Sequence, residues 1–182
     1  MNDSFDDDMA STKPVAQTDG RAFPPAQDAA NSKKSRVTLH ELRQLDDFPE
    51  WTSLEGMAEF LYESLKPYED PLPVVKQGIL DALEPSNGER GFVLVAEINH
   101  KVVGALLMLR TGMKGYVPEN FLLMVAVDPS TRGKGIGAQI INRSFELADG
   151  DVKLHVEYDN PAKRLYERLG MTSKYAEMRY QK

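Results

Sequence analysis

The chain has 182 residues and no cysteine, and its 28 acidic and 22 basic side chains give a formal net charge of −6. The length suits one domain, and the missing cysteines exclude disulfide frameworks, thiolate zinc sites and thiol nucleophiles. The acidic balance argues against general nucleic-acid binding, and no transmembrane span or secretory signal is visible, so we expect a cytoplasmic protein.

The first 35 residues mix acidic, small polar and proline residues with few large apolar groups. Such a segment cannot bury enough surface to offset the entropy of ordering it. We therefore expect a disordered tail over residues 1–35 and a folded domain over residues 36–182. A partner-binding or targeting arm is the alternative interpretation of the tail.

The first half of the domain predicts one strand followed by two helices. Residues 36–42 have the alternating, β-branched pattern of a strand. Apolar side chains then recur at helical spacing over residues 51–65, and Pro67 ends that helix. A second helix is predicted over residues 72–83, with a Pro-Ser-Asn-Gly stop at residues 85–88.

Three apolar strands are predicted in the middle of the chain. Residues 92–98 and 102–109 form an expected hairpin joined by residues 99–101. A loop around residues 114–118 leads into a buried strand over residues 121–127. These strands supply the antiparallel part of a sheet.

A glycine-rich turn follows the third of these strands. Asp128 and Pro129 stop the strand, and the glycines in the segment RGKGIGA (residues 132–138) let successive backbone N–H groups turn inward. These amides would stand at the start of the next helix, where unsatisfied donors and the helix dipole attract anions. Arg132 and Lys134 add positive charge, so the pattern predicts a site for a pyrophosphate.

The remaining elements complete an α/β fold. A helix is predicted to run to about residue 149, followed by an alternating strand over residues 152–158. A short helix over residues 161–169 and a final strand or hairpin over residues 171–180 close the chain. The order of elements predicts a mixed, mostly antiparallel central sheet with one parallel β-α-β crossover.

Three other interpretations of the glycine turn compete. A Walker loop is excluded because the chain lacks Gly-x-x-x-x-Gly-Lys followed by Ser or Thr. A dinucleotide site would use Gly133, Gly135 and Ala138, with Glu157 as the acid that binds ribose. That fold needs further strand-helix units after the motif, and the chain is too short for them. A glycine turn with incidental basic residues is the simplest alternative.

Two segments resemble one family. RGKGIG (residues 132–137) is similar to the Arg/Gln-x-x-Gly-x-Gly/Ala signature of the GNAT superfamily of N-acetyltransferases. NPAKRLYERLGM (residues 160–171) resembles that family's Asn...Ala...Leu-Tyr-Glu-x-x-Gly-Phe segment. Both occur in the family's order, separated by one helix and one strand. The resemblance covers about residues 36–182 and implies a GNAT-like fold.

The resemblance implies that acetyl-CoA, without a metal, is the acetyl donor and enters where the motif strand and the next strand part. In the family, the strand backbone pairs with the pantetheine arm and the amides of the glycine turn hold the pyrophosphate. The implied cofactor-binding residues are Val125, Ala126, Val127, Arg132, Gly133, Lys134, Gly135, Ile136, Gly137, Ala138, Asn160 and Tyr166. The family's usual asparagine position is occupied here by Asp159, one residue before Asn160.

The resemblance also implies transfer of an acetyl group to a primary amine by direct attack. Tyr166 occupies the position of a general acid for the CoA thiolate, and an ordinary tyrosine remains protonated at pH 7. Glu97 and Glu157 are the candidate bases, with His155 as a further candidate.

The acceptor is expected between the first two helices and residues 114–120. Acidic side chains there would suit a cationic amine or form a solvated helix face. The expected partners are acetyl-CoA and the amine, without nucleic acid or membrane, in a monomer or homodimer. A CoA-binding sensor or scaffold without transfer is the alternative function, because the glycine turn would be the same.

Overall fold

The computed structural model describes residues 36–86 and 88–182. The predicted disordered tail lies outside the described residues. No helix within the described ranges is long and apolar enough to cross a membrane. The elements in chain order are β1 (Thr38–Leu42), α1 (Leu54–Leu65), α2 (Leu72–Leu83), β2 (Phe92–Ile98), β3 (Lys101–Arg110), β4 (Asn120–Val127), α3 (Ile136–Leu147), β5 (Val152–Leu154) and α4 (Lys163–Arg168).

The five strands form one sheet in the order in which they occur along the chain. Strands β1 to β4 pair antiparallel, and β5 pairs parallel to β4 after the crossover through α3. The predicted mixed, mostly antiparallel sheet with one parallel crossover is therefore confirmed.

Helices cover both faces of the sheet, because alternate strand residues point to opposite sides. On one face α1 and α2 pack against a cluster that includes Val93, Val95 and Leu107. On the other face α3 and α4 pack against a cluster that includes Leu94 and Leu106. Both clusters contain side chains of β4, so this strand lies between the two cores.

The first helix is shorter than its apolar pattern predicts. It begins at Leu54 because Ser53 caps it, with its hydroxyl oxygen accepting a hydrogen bond from the Gly56 N–H at 3.1 Å. Trp51 therefore precedes the helix and packs against the core from the loop. The predicted start at residue 51 is wrong, since a side-chain cap is a stronger boundary than apolar spacing.

The last two predicted strands also differ from the structure. Strand β5 covers only Val152–Leu154, and Tyr158, which alternation placed on the same face as Val152 and Leu154, is 85% exposed. Residues 171–182 form neither helix nor strand, so the final strand over residues 171–180 is wrong. Alternation is a local property, whereas a strand also needs a neighbour at hydrogen-bonding distance.

Candidate active site

Strands β4 and β5 form a wedge that is closed at one end. They pair only from Asn120 with Val152 to Leu122 with Leu154. Strand β4 then continues to Val127 with β3 on one side, while the backbone beyond β5 turns away. The β4 edge that would face β5 is consequently open along the last part of the strand.

A bulge in β4 lies where the wedge begins to open. In the β3–β4 ladder, Leu107 pairs with Met124 and Met108 pairs with Leu122, which leaves Leu123 without an opposite residue. A bulge of this kind bends its strand and increases the local twist. It therefore coincides with the divergence of β4 from β5.

The closed end of the wedge is held by Asn120, which is 1% exposed. Its side-chain N–H groups donate to the carbonyl oxygens of Asp149 at 2.9 Å and Asp151 at 3.2 Å. Its side-chain oxygen accepts from Arg110 Nη1 at 3.0 Å. Sequence reasoning missed this residue, although an asparagine beginning an apolar strand was the available signal.

The glycine turn at the open end of the wedge has the geometry of an anion cradle. Asp128 ends β4, and its carboxylate accepts a hydrogen bond from the Ser130 N–H at 2.8 Å. Gly133 and Gly135 then have φ values of 76° and 81°, in the left-handed region that favours glycine. Helix α3 begins immediately afterwards, at Ile136.

The backbone N–H groups of residues 136–138 precede the first hydrogen bond of α3 and so have no acceptor within the helix. The first backbone bond of α3 runs from the Gln139 N–H to the Gly135 carbonyl oxygen at 3.1 Å. The preceding amides are the unpaired donors of a helix start, where the helix dipole is positive. This arrangement can bind a phosphate or pyrophosphate group.

The two basic side chains of the turn make different contacts. Arg132 donates from Nη2 to the Ser64 carbonyl oxygen at 2.6 Å and from Nε to the Val127 carbonyl oxygen at 3.0 Å. It thereby ties the end of α1 to the end of β4. Lys134 is exposed, with its Nζ 3.5 Å from the Ser130 carbonyl oxygen.

Tyr166 lies on α4, on the face of the sheet covered by α3 and α4, and is 9% exposed. Burial raises the pKa of its hydroxyl to about 12. A Cβ atom at Gly137 would lie 3.3 Å from Leu165 Cδ2, so the absence of a side chain there lets α4 pack closely on the start of α3. Helix packing thus brings Tyr166 to the same face as the cradle helix.

Asn160 forms the entry to α4. Its side-chain oxygen accepts a hydrogen bond from the Ala162 N–H at 2.9 Å, and its own N–H donates to the Glu157 carbonyl oxygen at 3.1 Å. These bonds make a local Asx turn. The asparagine oxygen is therefore engaged within the chain.

Glu97, the first candidate base, is 9% exposed at the end of β2. One carboxylate oxygen accepts from the His100 N–H, and the other lies 3.6 Å from His40 Nε2. The hydrogen bond from His100 lowers the pKa of Glu97. One oxygen thus faces His100 at the β2–β3 turn and the other faces His40 on β1, and β3 separates β2 from β4.

Glu157, the second candidate base, is exposed and follows β5. The pKa of Tyr68, in the α1–α2 connection, is raised by burial and further by the charges of Asp159 and Glu157. Glu157 consequently lies beyond β5 and within electrostatic range of the α1–α2 connection. The structure does not bring it together with Glu97.

The wedge has an aromatic and charged surface on the side away from Tyr166. The Lys153 Nζ lies 4.8 Å from the centre of the Phe121 ring, and the His155 ring centre lies 4.9 Å from it. The Nδ1 of His155 is 3.9 Å from Glu177 Oε2. Phe121 and Glu177 carried no functional signal in the sequence, because only the sheet and the C-terminal segment bring them together.

A cavity of about 370 Å³ lies between α2 and the bulged part of β4. Leu109 and Leu123 form part of its apolar wall, and Asp70 and Asp81 contribute carboxylates. It opens on the side of the sheet that α2 covers, and its lining does not include residues 114–120, where the acceptor was expected. Within the described ranges, no group of three or more histidine, aspartate or glutamate residues could hold a metal ion.

Residues 89–171 match the model of the acetyltransferase (GNAT) domain family. The curated proteins gave no significant match. A "possible acetyltransferase" from Clostridium difficile 630 is 28% identical, covers 80% of this chain and 97% of its own, and superposes with a TM-score of 0.57.

Two further solved structures share the fold at lower identity. The aminoglycoside N-acetyltransferase AAC(6')-Iy in complex with CoA is 16% identical over 83% of this chain and 97% of its own, with a TM-score of 0.62. A transcriptional regulator from Bacillus halodurans C-125 is 24% identical over 80% and 99%, with a TM-score of 0.60. The family model spans β2 to α4 and includes β4, the cradle and Tyr166, so this part of the chain is similar to the acetyltransferase (GNAT) domain.

Proposed function

We propose that this protein transfers the acetyl group of acetyl-CoA to a primary amine by direct attack of the amine on the thioester. The observation that carries this proposal is the continuous path from the open β4 edge into the glycine cradle. An extended backbone edge can hydrogen-bond an amide-containing chain, and the cradle can bind a pyrophosphate. In acetyl-CoA the amide-containing pantetheine arm is joined to the pyrophosphate, so the two groups would occupy the strand edge and the cradle in that order.

The proposed donor site uses mostly backbone groups. The β4 backbone over Val125, Ala126 and Val127 would line the pantetheine arm, and the Val127 carbonyl oxygen also accepts a hydrogen bond from Arg132 Nε at 3.0 Å. The N–H groups of Gly133, Lys134, Gly135, Ile136, Gly137 and Ala138 would hold the pyrophosphate. Arg132 would keep the cradle joined to α1 and add charge at its rim, and Asn160 would shape the turn into α4.

Tyr166 takes the general-acid position in this proposal. With a pKa of about 12, its hydroxyl stays protonated at neutral pH. Because an ordinary thiol has a pKa near 8.5, complete proton transfer to the thiolate would be uphill by about 5 kcal/mol. We therefore expect Tyr166 to act chiefly by donating a hydrogen bond to the thiolate as its charge develops.

The two carboxylates proposed as bases are not equally suited. Glu97 faces His100 at the β2–β3 turn and His40 on β1, and its lowered pKa makes it a weaker proton acceptor than an ordinary glutamate. Glu157 is exposed beyond β5, on the chain segment that borders the wedge. Of these two, Glu157 is the better candidate.

The acceptor is proposed to be a small amine that enters from the α1–α2 side. The cavity there combines an apolar wall with Asp70 and Asp81, which suits a cationic amine with an aliphatic body. Part of the predicted acidic surface is already neutralised, since Glu55 pairs with Lys76 at 2.6 Å. Aminoglycoside acetyltransferases among the structures that share the fold make an aminoglycoside a natural test compound.

The function is tested by release of free CoA thiol from acetyl-CoA with spermidine, sisomicin, L-lysine and a peptide with a free N-terminus. Amine-dependent release supports the transferase. Tight acetyl-CoA binding without release with any of these amines would instead favour a sensor or scaffold.

A matched pair of variants tests the donor site separately. Gly133 and Gly170 both have positive φ values, 76° and 93°, with no atom within 4 Å of an added Cβ. We expect Gly133→Asp to weaken acetyl-CoA binding at least about tenfold, because it puts an anion in the cradle. Gly170→Asp carries the same charge and similar backbone strain at the end of α4. Equal binding by the two variants would refute the assignment of the cradle.

A further inference from the structure

His155 and Tyr166 lie on opposite faces of the wedge. Val152, Leu154 and Val156 pack into the apolar cluster that contains Tyr166. Strand alternation sends the side chain of His155, between Leu154 and Val156, to the other face. A thioester held between β4 and the backbone beyond β5 would therefore have Tyr166 on one side and His155 on the other.

The position of His155 suits contact with an incoming amine. It directly follows Leu154, the last β5 residue paired with β4, and so stands where the wedge opens. Its ring is held against Phe121, with 4.9 Å between ring centres. Its side chain is nevertheless 46% exposed, so part of the imidazole is accessible.

The C-terminal segment places a carboxylate behind the imidazole. Glu177 Oε2 lies 3.9 Å from His155 Nδ1, and Glu177 Oε1 accepts a hydrogen bond from Arg179 Nε at 2.6 Å. That bond is the main cause that lowers the pKa of Glu177, so the carboxylate stays ionised. The distance of 3.9 Å is longer than a hydrogen bond, but catalytic hydrogen bonds commonly tighten only when substrate is bound.

We propose that His155, oriented by Glu177, accepts the proton of the amine that attacks acetyl-CoA. This inference rests on the proposed function and names the base of the same site. With Nδ1 directed at Glu177, the proton sits on Nδ1 and the lone pair of Nε2 is available to the substrate. Glu177 is a positioning residue, because it acts through the imidazole.

The step balances without a further reactant. The neutral amine forms a C–N bond to the acetyl carbon, and the C–S bond breaks with its electron pair remaining on sulfur. The proton lost from nitrogen goes to Nε2 of His155, which later releases it to water. The thiolate accepts a hydrogen bond from Tyr166 and takes its proton from water as it leaves.

Several charged groups surround this imidazole. Lys153 on β5 lies on the same face and contacts Phe121 on β4, and the C-terminal segment contributes Glu177 and Arg179. The pKa of Arg179 is raised mainly by its hydrogen bond to Glu177, with a smaller effect from Asp70 at the start of α2.

The experiment compares kcat/KM as a function of pH in the wild type, His155→Gln and Glu177→Gln, at saturating acetyl-CoA. The acceptor is the most active of spermidine, sisomicin, L-lysine and the free N-terminal peptide. His155→Gln should lower kcat at least about 100-fold and remove the acidic limb of the profile. Glu177→Gln should retain a limb but move its midpoint to lower pH, which a merely structural role would not do.

Two controls keep the inference falsifiable. His100→Gln changes a histidine at the β2–β3 turn and should leave the profile unchanged. Acetyl-CoA affinity and melting temperature should be the same in His155→Gln as in the wild type. A wild-type profile in His155→Gln overturns the inference, as does loss of the limb in Glu157→Gln instead. If the wild type binds acetyl-CoA but releases no thiol with any amine, the proposed transfer itself fails.

Discussion

Removing the hydroxyl of Tyr166 separates its role in catalysis from its role in folding. Tyr166→Phe deletes one oxygen and keeps the ring, which is buried against α3 and the sheet. If the hydroxyl donates to the departing thiolate, turnover should fall at least about tenfold, equivalent to about 1.4 kcal/mol of transition-state stabilisation. Acetyl-CoA binding should change little, because the proposed cofactor site uses mainly backbone groups.

The same substitution predicts a change in alkaline stability. The ordinary pKa of 10.0 is raised to about 12 by burial, so between these values the unfolded chain loses its proton while the folded chain keeps it. The free energy of unfolding of the wild type should therefore fall by up to about 3 kcal/mol from this group as pH rises from 10 to 12. Tyr166→Phe should lack that part of the decline.

Three measurements check these expectations. Thiol release at saturating acetyl-CoA gives kcat, and calorimetric titration gives the affinity for acetyl-CoA. Denaturant unfolding of both proteins at pH 8 and pH 11 gives the difference in alkaline sensitivity. Unchanged kcat would eliminate Tyr166 as a donor to the thiolate. An identical loss of stability in both proteins would show that burial does not raise the pKa of the Tyr166 hydroxyl.

Three further variants test the frame around the site. Asn120→Ala should lower the free energy of unfolding by about 1–3 kcal/mol in denaturant titrations, because it removes the two hydrogen bonds that this buried side chain donates to the carbonyl oxygens of Asp149 and Asp151; an unaffected protein would contradict the role assigned to this side chain. Gly104→Val should cost about 1–3 kcal/mol, since even a Cβ there would lie 2.5 Å from Ile140 Cδ1, and a melting temperature equal to the wild type would refute the close packing. The folded-state pKa of Glu97 is lowered from 4.5, so the wild type should lose stability as the pH falls through 4.5 and below. Glu97→Gln should show a smaller loss. If the free energy of unfolding fell as steeply with pH in Glu97→Gln as in the wild type, the expectation would be wrong.

The sequence determined the order and type of most elements. The apolar runs of β2, β3 and β4 predicted three strands whose observed ends differ from the prediction by at most one residue. Glycines at residues 133 and 135 predicted the turn before α3, because left-handed backbone there favours glycine. These features depend on local chemistry, which is why they could be predicted without the fold.

Only the tertiary structure decided where the last strand ends and what surrounds the wedge. Alternation continued through residue 158, but β5 stops at Leu154 because β4 and the following backbone diverge. The same divergence leaves the edge that is proposed to bind pantetheine. The approach of Glu177 to His155, and the bonds of Asn120 to the α3–β5 connection, join residues distant in sequence. Such contacts follow from packing and chain path, which no local pattern specifies.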